Sequence, residues 1–133
     1  LSKFYTMYSI ENQSEWMDKF PDSTTYINCR MKEYNNSDFQ PPNIIGPQTS
    51  WYDPKDLFNK LPKNYDLILI DGPGGHWGRG GFLKFLDKFK TNIPILFDDI
   101  NREAEFDLMV KTSIILEKEY KILDNDKSLG YIL

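Results

Sequence analysis

Three stretches of this 133-residue chain place a carboxylate directly after a strand-like run: Glu11 after residues 4–10, which alternate bulky and polar side chains, and Asp71 after 67–70 and Asp98 with Asp99 after 93–97, both short apolar runs. Runs of this kind, rich in β-branched residues, read as strands covered on both faces. Ligands of open α/β sheets sit outside the carboxyl ends of such strands. Asp71 is followed by Gly72, Pro73, Gly74 and Gly75, so the backbone turns sharply with a carboxylate at its tip. The residue either faces a ligand or only caps that turn. Glu11 suits two adjacent ribose hydroxyls, and equally the positive end of a following helix. Asp71, Asp98 and Asp99 together suit a hard cation such as Mg²⁺. Alternatively, one of them caps the last helix and another pairs with Arg79 or Arg102. His76 is the only histidine and stands in the glycine-rich turn, where an imidazole could serve as a general base. That turn lacks the Gly-Lys-Ser/Thr ending of a P-loop, and its glycine spacing makes no dinucleotide fingerprint.

The elements that must position these groups alternate. Residues 4–10 read as a Tyr-rich strand. Asn12 and Glu15 have capping-box spacing ahead of a helix with Trp16, Met17 and Phe20 on one face, closed by Pro21 and Asp22. Residues 26–29 form a second strand, and 30–50 is a polar, irregular loop broken by Pro41, Pro42, Gly46 and Pro47. Asp53 and Pro54 open a helix with Leu57, Phe58 and Leu61 inward. Residues 79–90 carry the clearest amphipathic pattern, with Phe82, Leu83, Phe85, Leu86 and Phe89 on one face. Asn101 can cap a helix from Arg102 to about Lys118 with Phe106, Met109, Val110 and Ile114 inward, and 120–133 reads as a terminal β-hairpin. Strands alternating with crossover helices predict a mostly parallel sheet, in which right-handed crossovers gather Glu11, Asp71, Asp98 and Asp99 at one edge.

The totals bound the answer. The length suits one domain. Hydrophobic residues at 40% and aromatics at 15% are those of a globular protein, and no apolar run reaches the roughly 20 residues of a membrane span. A lone cysteine, Cys29, excludes an internal disulfide and reads as a buried small hydrophobe in a reducing, cytoplasmic setting. A net charge of −4 argues against a general nucleic-acid surface.

Taken together, Ile10-Glu11 ahead of Trp16, Asp71-Gly72-Pro73 with Arg79, and Asp98-Asp99-Ile100-Asn101-Arg102 resemble the class I S-adenosylmethionine-dependent methyltransferases, in particular a bacterial branch with Asp-Gly-Pro and Asp-Asp-x-x-Arg motifs. The resemblance implies a Rossmann-like sheet, mostly parallel, ending in a C-terminal hairpin. It also implies that the family's first strand and its glycine-rich turn, central in that sheet, are missing from residues 1–133, which would be a single partial domain. Glu11 would then take the cofactor's ribose, and Asp71 and Gly72 would lie beside its methionine end. Asp98, Asp99 and His76 become candidate bases toward a hydroxyl acceptor, such as a small molecule or a sugar of a glycan precursor. Arg79 and Arg102 become candidate anchors for an anionic acceptor. Metal-dependent members place ligands at the same strand ends, so Asp71, Asp98 and Asp99 are candidate Mg²⁺ ligands. The sheet edge left by the missing strand could serve oligomerisation. Two rivals stand beside this reading: a non-catalytic α/β binding module, and a Mg²⁺-dependent hydrolase built on the aspartates.

Overall fold

A computed structural model describes residues 4–17, 19, 22–34, 50–74, 77–123 and 128–133. Within them the chain is mixed α/β with small sheets. The strands are β1 (Met7–Glu11), β2 (Thr24–Asn28), β3 (Met31–Glu33), β4 (Ser50–Tyr52), β5 (Ile68–Ile70), β6 (Ile95–Asp98), β7 (Tyr120–Ile122) and β8 (Leu129–Ile132). The helices are α1 (Pro54–Lys60), α2 (Gly81–Lys84) and α3 (Glu103–Leu116).

The largest sheet runs β5-β6-β8-β7 and is mostly antiparallel, because the terminal hairpin joins the parallel pair β5–β6. β1 and β2 form a separate parallel pair, and β3 and β4 an antiparallel one. In place of one mostly parallel sheet ending in a hairpin, parallel pairing is present in two separate pairs, and the terminal hairpin is there as expected. β1 and β5 do not pair with each other, and β5 is the outer strand of its sheet among the described residues.

The core lies on the β6 side. Ile95 and Phe97 of β6, Ile132 of β8, Leu108 and Met109 of α3, Leu57 of α1 and Phe82 of α2 are all buried. A second layer of rings, in which Trp51 stacks on Phe85 with centroids 5.4 Å apart, joins β4 to the segment after α2. Gly81 makes that junction possible: a Cβ there would run into the Trp51 ring.

Several local expectations change. The helix expected after Asn12 is a single 3₁₀ turn, Ser14–Trp16; Gln13 occupies its N-cap without a side-chain bond, and Trp16 is exposed. Residues 79–90 are not one helix: α2 stops after one turn because Phe85 leaves the helical region at φ −111°, ψ 23°, and a 3₁₀ turn, Leu86–Lys88, follows. The inward face is nevertheless the expected one, with Phe82, Leu83 and Leu86 buried. Arg102, not Asn101, is the N-cap of α3, and its side chain does not bond the helix. The buried face of α3 is Glu105, Leu108, Met109, Thr112 and Ser113, while Ile114 points outward. The loop 30–50 begins and ends in strands that pair, β3 with β4; its residues 35–49 lie outside the described residues. The opening of α1 is as expected, with the Asp53 carboxylate accepting from the Lys55 amide at 3.0 Å.

Candidate functional site

β5 and β6 run parallel in the register Ile68↔Ile95, Leu69↔Leu96, Ile70↔Phe97, so their carboxyl ends, with Asp71 and Asp98, leave the sheet side by side. Beyond Asp98 the chain must bend at once to enter α3. It does so through Asp99, whose φ of 60° is in the left-handed region, and the Asp98 carboxylate accepts the Asp99 amide at 2.8 Å. An Asp tolerates this backbone better than most side chains.

Arg79 fills the space between the two strand ends. It enters from the turn before α2 and is only 4% exposed. Its Nη1 donates to the Asp98 carbonyl at 2.9 Å and its Nη2 to Asp99 Oδ2 at 2.8 Å, while Asp71 Oδ1 stands 3.6 Å from Nη2. Nε is buried without a hydrogen-bond partner, and the nearest acid to it is Glu105 Oε1 at 4.0 Å. Arg102 Nη1 approaches the same Asp99 Oδ2 at 2.9 Å from the solvent side. Asp99 is therefore held between two guanidinium groups. A buried charge is tolerated only when paired in this way.

The same geometry bears on the metal reading. Among the described residues no three His, Cys, Asp or Glu side chains are grouped to hold a metal ion. The cation between Asp71 and Asp99 is the Arg79 guanidinium. The arginine pairing weighed for the aspartates is present, through both Arg79 and Arg102.

Asp71 differs from its neighbours. Its side chain is 63% exposed at the end of the cluster. Loss of hydration still pushes its carboxyl above the usual range, opposed by Arg79 and reinforced by the negative charges of Asp98 and Asp99.

Tyr52 joins this cluster to Glu11. Its hydroxyl donates to the Ile10 carbonyl at 3.1 Å and lies 2.9 Å from where a Cβ on Gly72 would stand. A side chain at 72 would displace it. Burial raises the phenol well above its ordinary range, and the Glu11 carboxylate, the Cys29 sulfur and the Asp71 carboxylate add to the shift. Glu11 itself accepts from Ser9 Oγ at 2.9 Å.

The structure thus brings together Asp71, Asp98, Asp99, Arg79 and Arg102, and connects Glu11 with Gly72 through Tyr52. Arg79 is too deeply buried to meet an acceptor directly and instead positions Asp99; of the two candidate anchors, Arg102 is the accessible one. His76 lies outside the described residues. Sequence reasoning missed Tyr52 and Glu105. Ser50-Trp51-Tyr52, three residues with bulky strand formers, was the available signal for β4; Glu105 gave none, because an acid in a first helical turn is expected for dipole reasons alone. No family model matches the chain, and neither a curated protein nor a solved structure matches it.

Proposed function

We propose that these residues form the greater part of the catalytic domain of an S-adenosylmethionine-dependent methyltransferase acting on a hydroxyl of a small molecule or sugar. The observation that carries this reading is the arrangement of the strands. β2-β1 and β5-β6-β8-β7 are two fragments that a single strand, set between β1 and β5 and parallel to both, would join into one sheet. The carboxyl ends of β1, β5 and β6 then carry Glu11, Asp71 and Asp98–Asp99 along one edge, where a nucleoside cofactor binds in sheets of this type. The joining strand would be supplied by polypeptide outside residues 1–133.

The residues present fit the cofactor at two points. Glu11 offers a carboxylate to the ribose hydroxyls, and Gly72, whose bare side is taken by the Tyr52 hydroxyl, stands next to Asp71 at the neighbouring strand end. The described residues offer no cradle for the cofactor's own carboxylate, which would come from the joining strand and its following turn. Bound there, the cofactor supplies an activated methyl group. The chain's own residues would orient the acceptor and manage its proton: Arg102 faces an anionic portion of the acceptor, and Asp71, whose raised affinity for protons suits the task, accepts the hydroxyl hydrogen. Arg79 and Asp99 hold the strand ends in place behind them.

Calorimetric titration of S-adenosylhomocysteine into the natural full-length polypeptide tests the reading. Binding is expected, weakened about tenfold or more by Glu11→Ala, since hydrogen bonds to a charged group are the strong ones. Asp71→Asn should lower turnover with little effect on that binding. Absence of binding by the full-length polypeptide would remove the proposal.

A further inference from the structure

The opposite border of the large sheet is unfinished in a different way. β7 has β8 on one side and no strand on the other among the described residues, and all three of its residues are exposed. Edge strands are commonly blunted by shortness, by charges, by proline or bulges, or by a covering element. This one is short and carries a single charge, Lys121, between Tyr120 and Ile122; it continues into Leu123 at 52% exposure and touches α3, whose Ile114 (66%) and Ile115 (53%) are also exposed.

The outward groups of β7 can be assigned. The Leu123 amide donates to the Leu129 carbonyl at 2.9 Å, toward β8. Peptide groups alternate between the two edges of a strand, so Lys121 also faces β8, while Tyr120 and Ile122 direct their N–H and C=O groups outward. Glu119 and Lys121 flank Tyr120, share one face, and form no ion pair among the described residues.

We infer that β7 is the pairing edge of a symmetric homodimer, in which two copies join antiparallel about Tyr120 into one continuous sheet. A two-fold axis through Tyr120 sets Tyr120 opposite Tyr120 with their outward N–H and C=O groups exchanged. It sets Glu119 of each copy opposite Lys121 of the other, twice. An axis through Lys121 would instead oppose two lysines, which is unfavourable. The edge is thus complementary in charge to itself in one register, which is what selects a second copy of the chain as occupant. A two-fold contact uses up the edge in each copy and closes.

Sedimentation equilibrium over a concentration series reads the assembly. The wild-type chain is expected to show a monomer–dimer equilibrium. Lys121→Glu turns both attractive cross-strand pairs repulsive and should weaken association about tenfold or more. The double variant Glu119→Lys/Lys121→Glu should restore it. Circular dichroism of each variant, unchanged from wild type, establishes that the fold is retained. Tyr120→Cys provides a second readout, because Cα atoms of a directly opposed hydrogen-bonded pair lie about 5.5 Å apart, within disulfide reach. A cross-linked dimer should form under mild oxidation, and Ile122→Cys should give none; the native Cys29 is buried. A wild-type chain that stays monomeric throughout, association indifferent to Lys121→Glu, a double variant that fails to recover, or no cross-link through residue 120 would each overturn the inference.

Discussion

The two parallel pairs of this molecule share a strand direction but differ in sequence, and they reach different ends. β6, in Ile95–Asp98, lies between β5 and β8, and Ile95 and Phe97 are completely or almost completely buried at 0% and 1% exposure. β1, in Met7–Glu11, has a single neighbour, β2, and none of its residues is buried. β6 combines an apolar sequence with a neighbour on each side, and β1 has neither. What the open half has in place of a second neighbour is one phenol, Tyr52, on the Ile10 carbonyl.

Substitutions can break this contrast. The largest effect is expected from Phe97→Ala, which leaves a cavity in the closed half and should cost about 3–5 kcal/mol in denaturant-induced unfolding. Tyr8→Ala in β1, at a side chain already 44% exposed, should by the same measurement stay within about 0.5 kcal/mol. Equal costs at the two positions would mean that the halves are not energetically distinct. Next comes Arg79→Leu, which removes the cation from between Asp99 and Glu105 and should destabilise by about 3 kcal/mol. Adding Asp99→Asn should recover part of that loss, since the stranded charge goes with it.

Gly81→Ala tests the junction of the halves. A methyl group there meets the Trp51 ring, and the overpacking should cost about 2 kcal/mol, with a change in tryptophan near-ultraviolet circular dichroism. The smallest effect is electrostatic. Because the Asp71 carboxyl has a higher proton affinity folded than unfolded, the native state binds more protons there. Its contribution improves as pH falls through the raised value toward the unfolded one, and is unfavourable above both. Asp71→Asn should therefore leave stability unchanged or slightly higher at neutral pH. The difference should vanish in acid, as pH-dependent urea midpoints would show. The exposure of this side chain keeps the effect small.

The chain's elements were legible in its sequence where local chemistry and packing agree. Asp53 with Pro54 opens α1 as expected, and the apolar runs before Asp71 and Asp98 became neighbouring parallel strands. Expectations failed where a local signal lacked a tertiary partner. Asn12 and Glu15 have the spacing of a capping box, yet Trp16 stays exposed and, among the described residues, a single 3₁₀ turn forms. The pattern in 79–90 correctly named the buried face, but periodicity alone could not show the break at Phe85, where the ring instead stacks on Trp51. In α3 the sequence pattern favoured Ile114 over Glu105. The structure buries the acid with its Oε1 4.0 Å from Nε of Arg79, a residue 26 positions earlier, a proximity that no local pattern in α3 announces. Of the candidate site, the acidic strand ends could be read directly; the choice of an arginine as their shared partner could not.

The backbone at Asp99 carries one consequence for how the molecule can change. With φ at 60°, the position admits glycine, asparagine or aspartate with little strain and resists almost everything else. Of those three, only aspartate brings a negative charge to the two guanidinium groups that meet there. A conformational filter and an electrostatic one thus act on the same residue, and their intersection is a single amino acid. In any collection of functional variants, position 99 should be the least free to drift, ahead of the more exposed Asp71, because two unrelated physical demands would have to be relaxed at once.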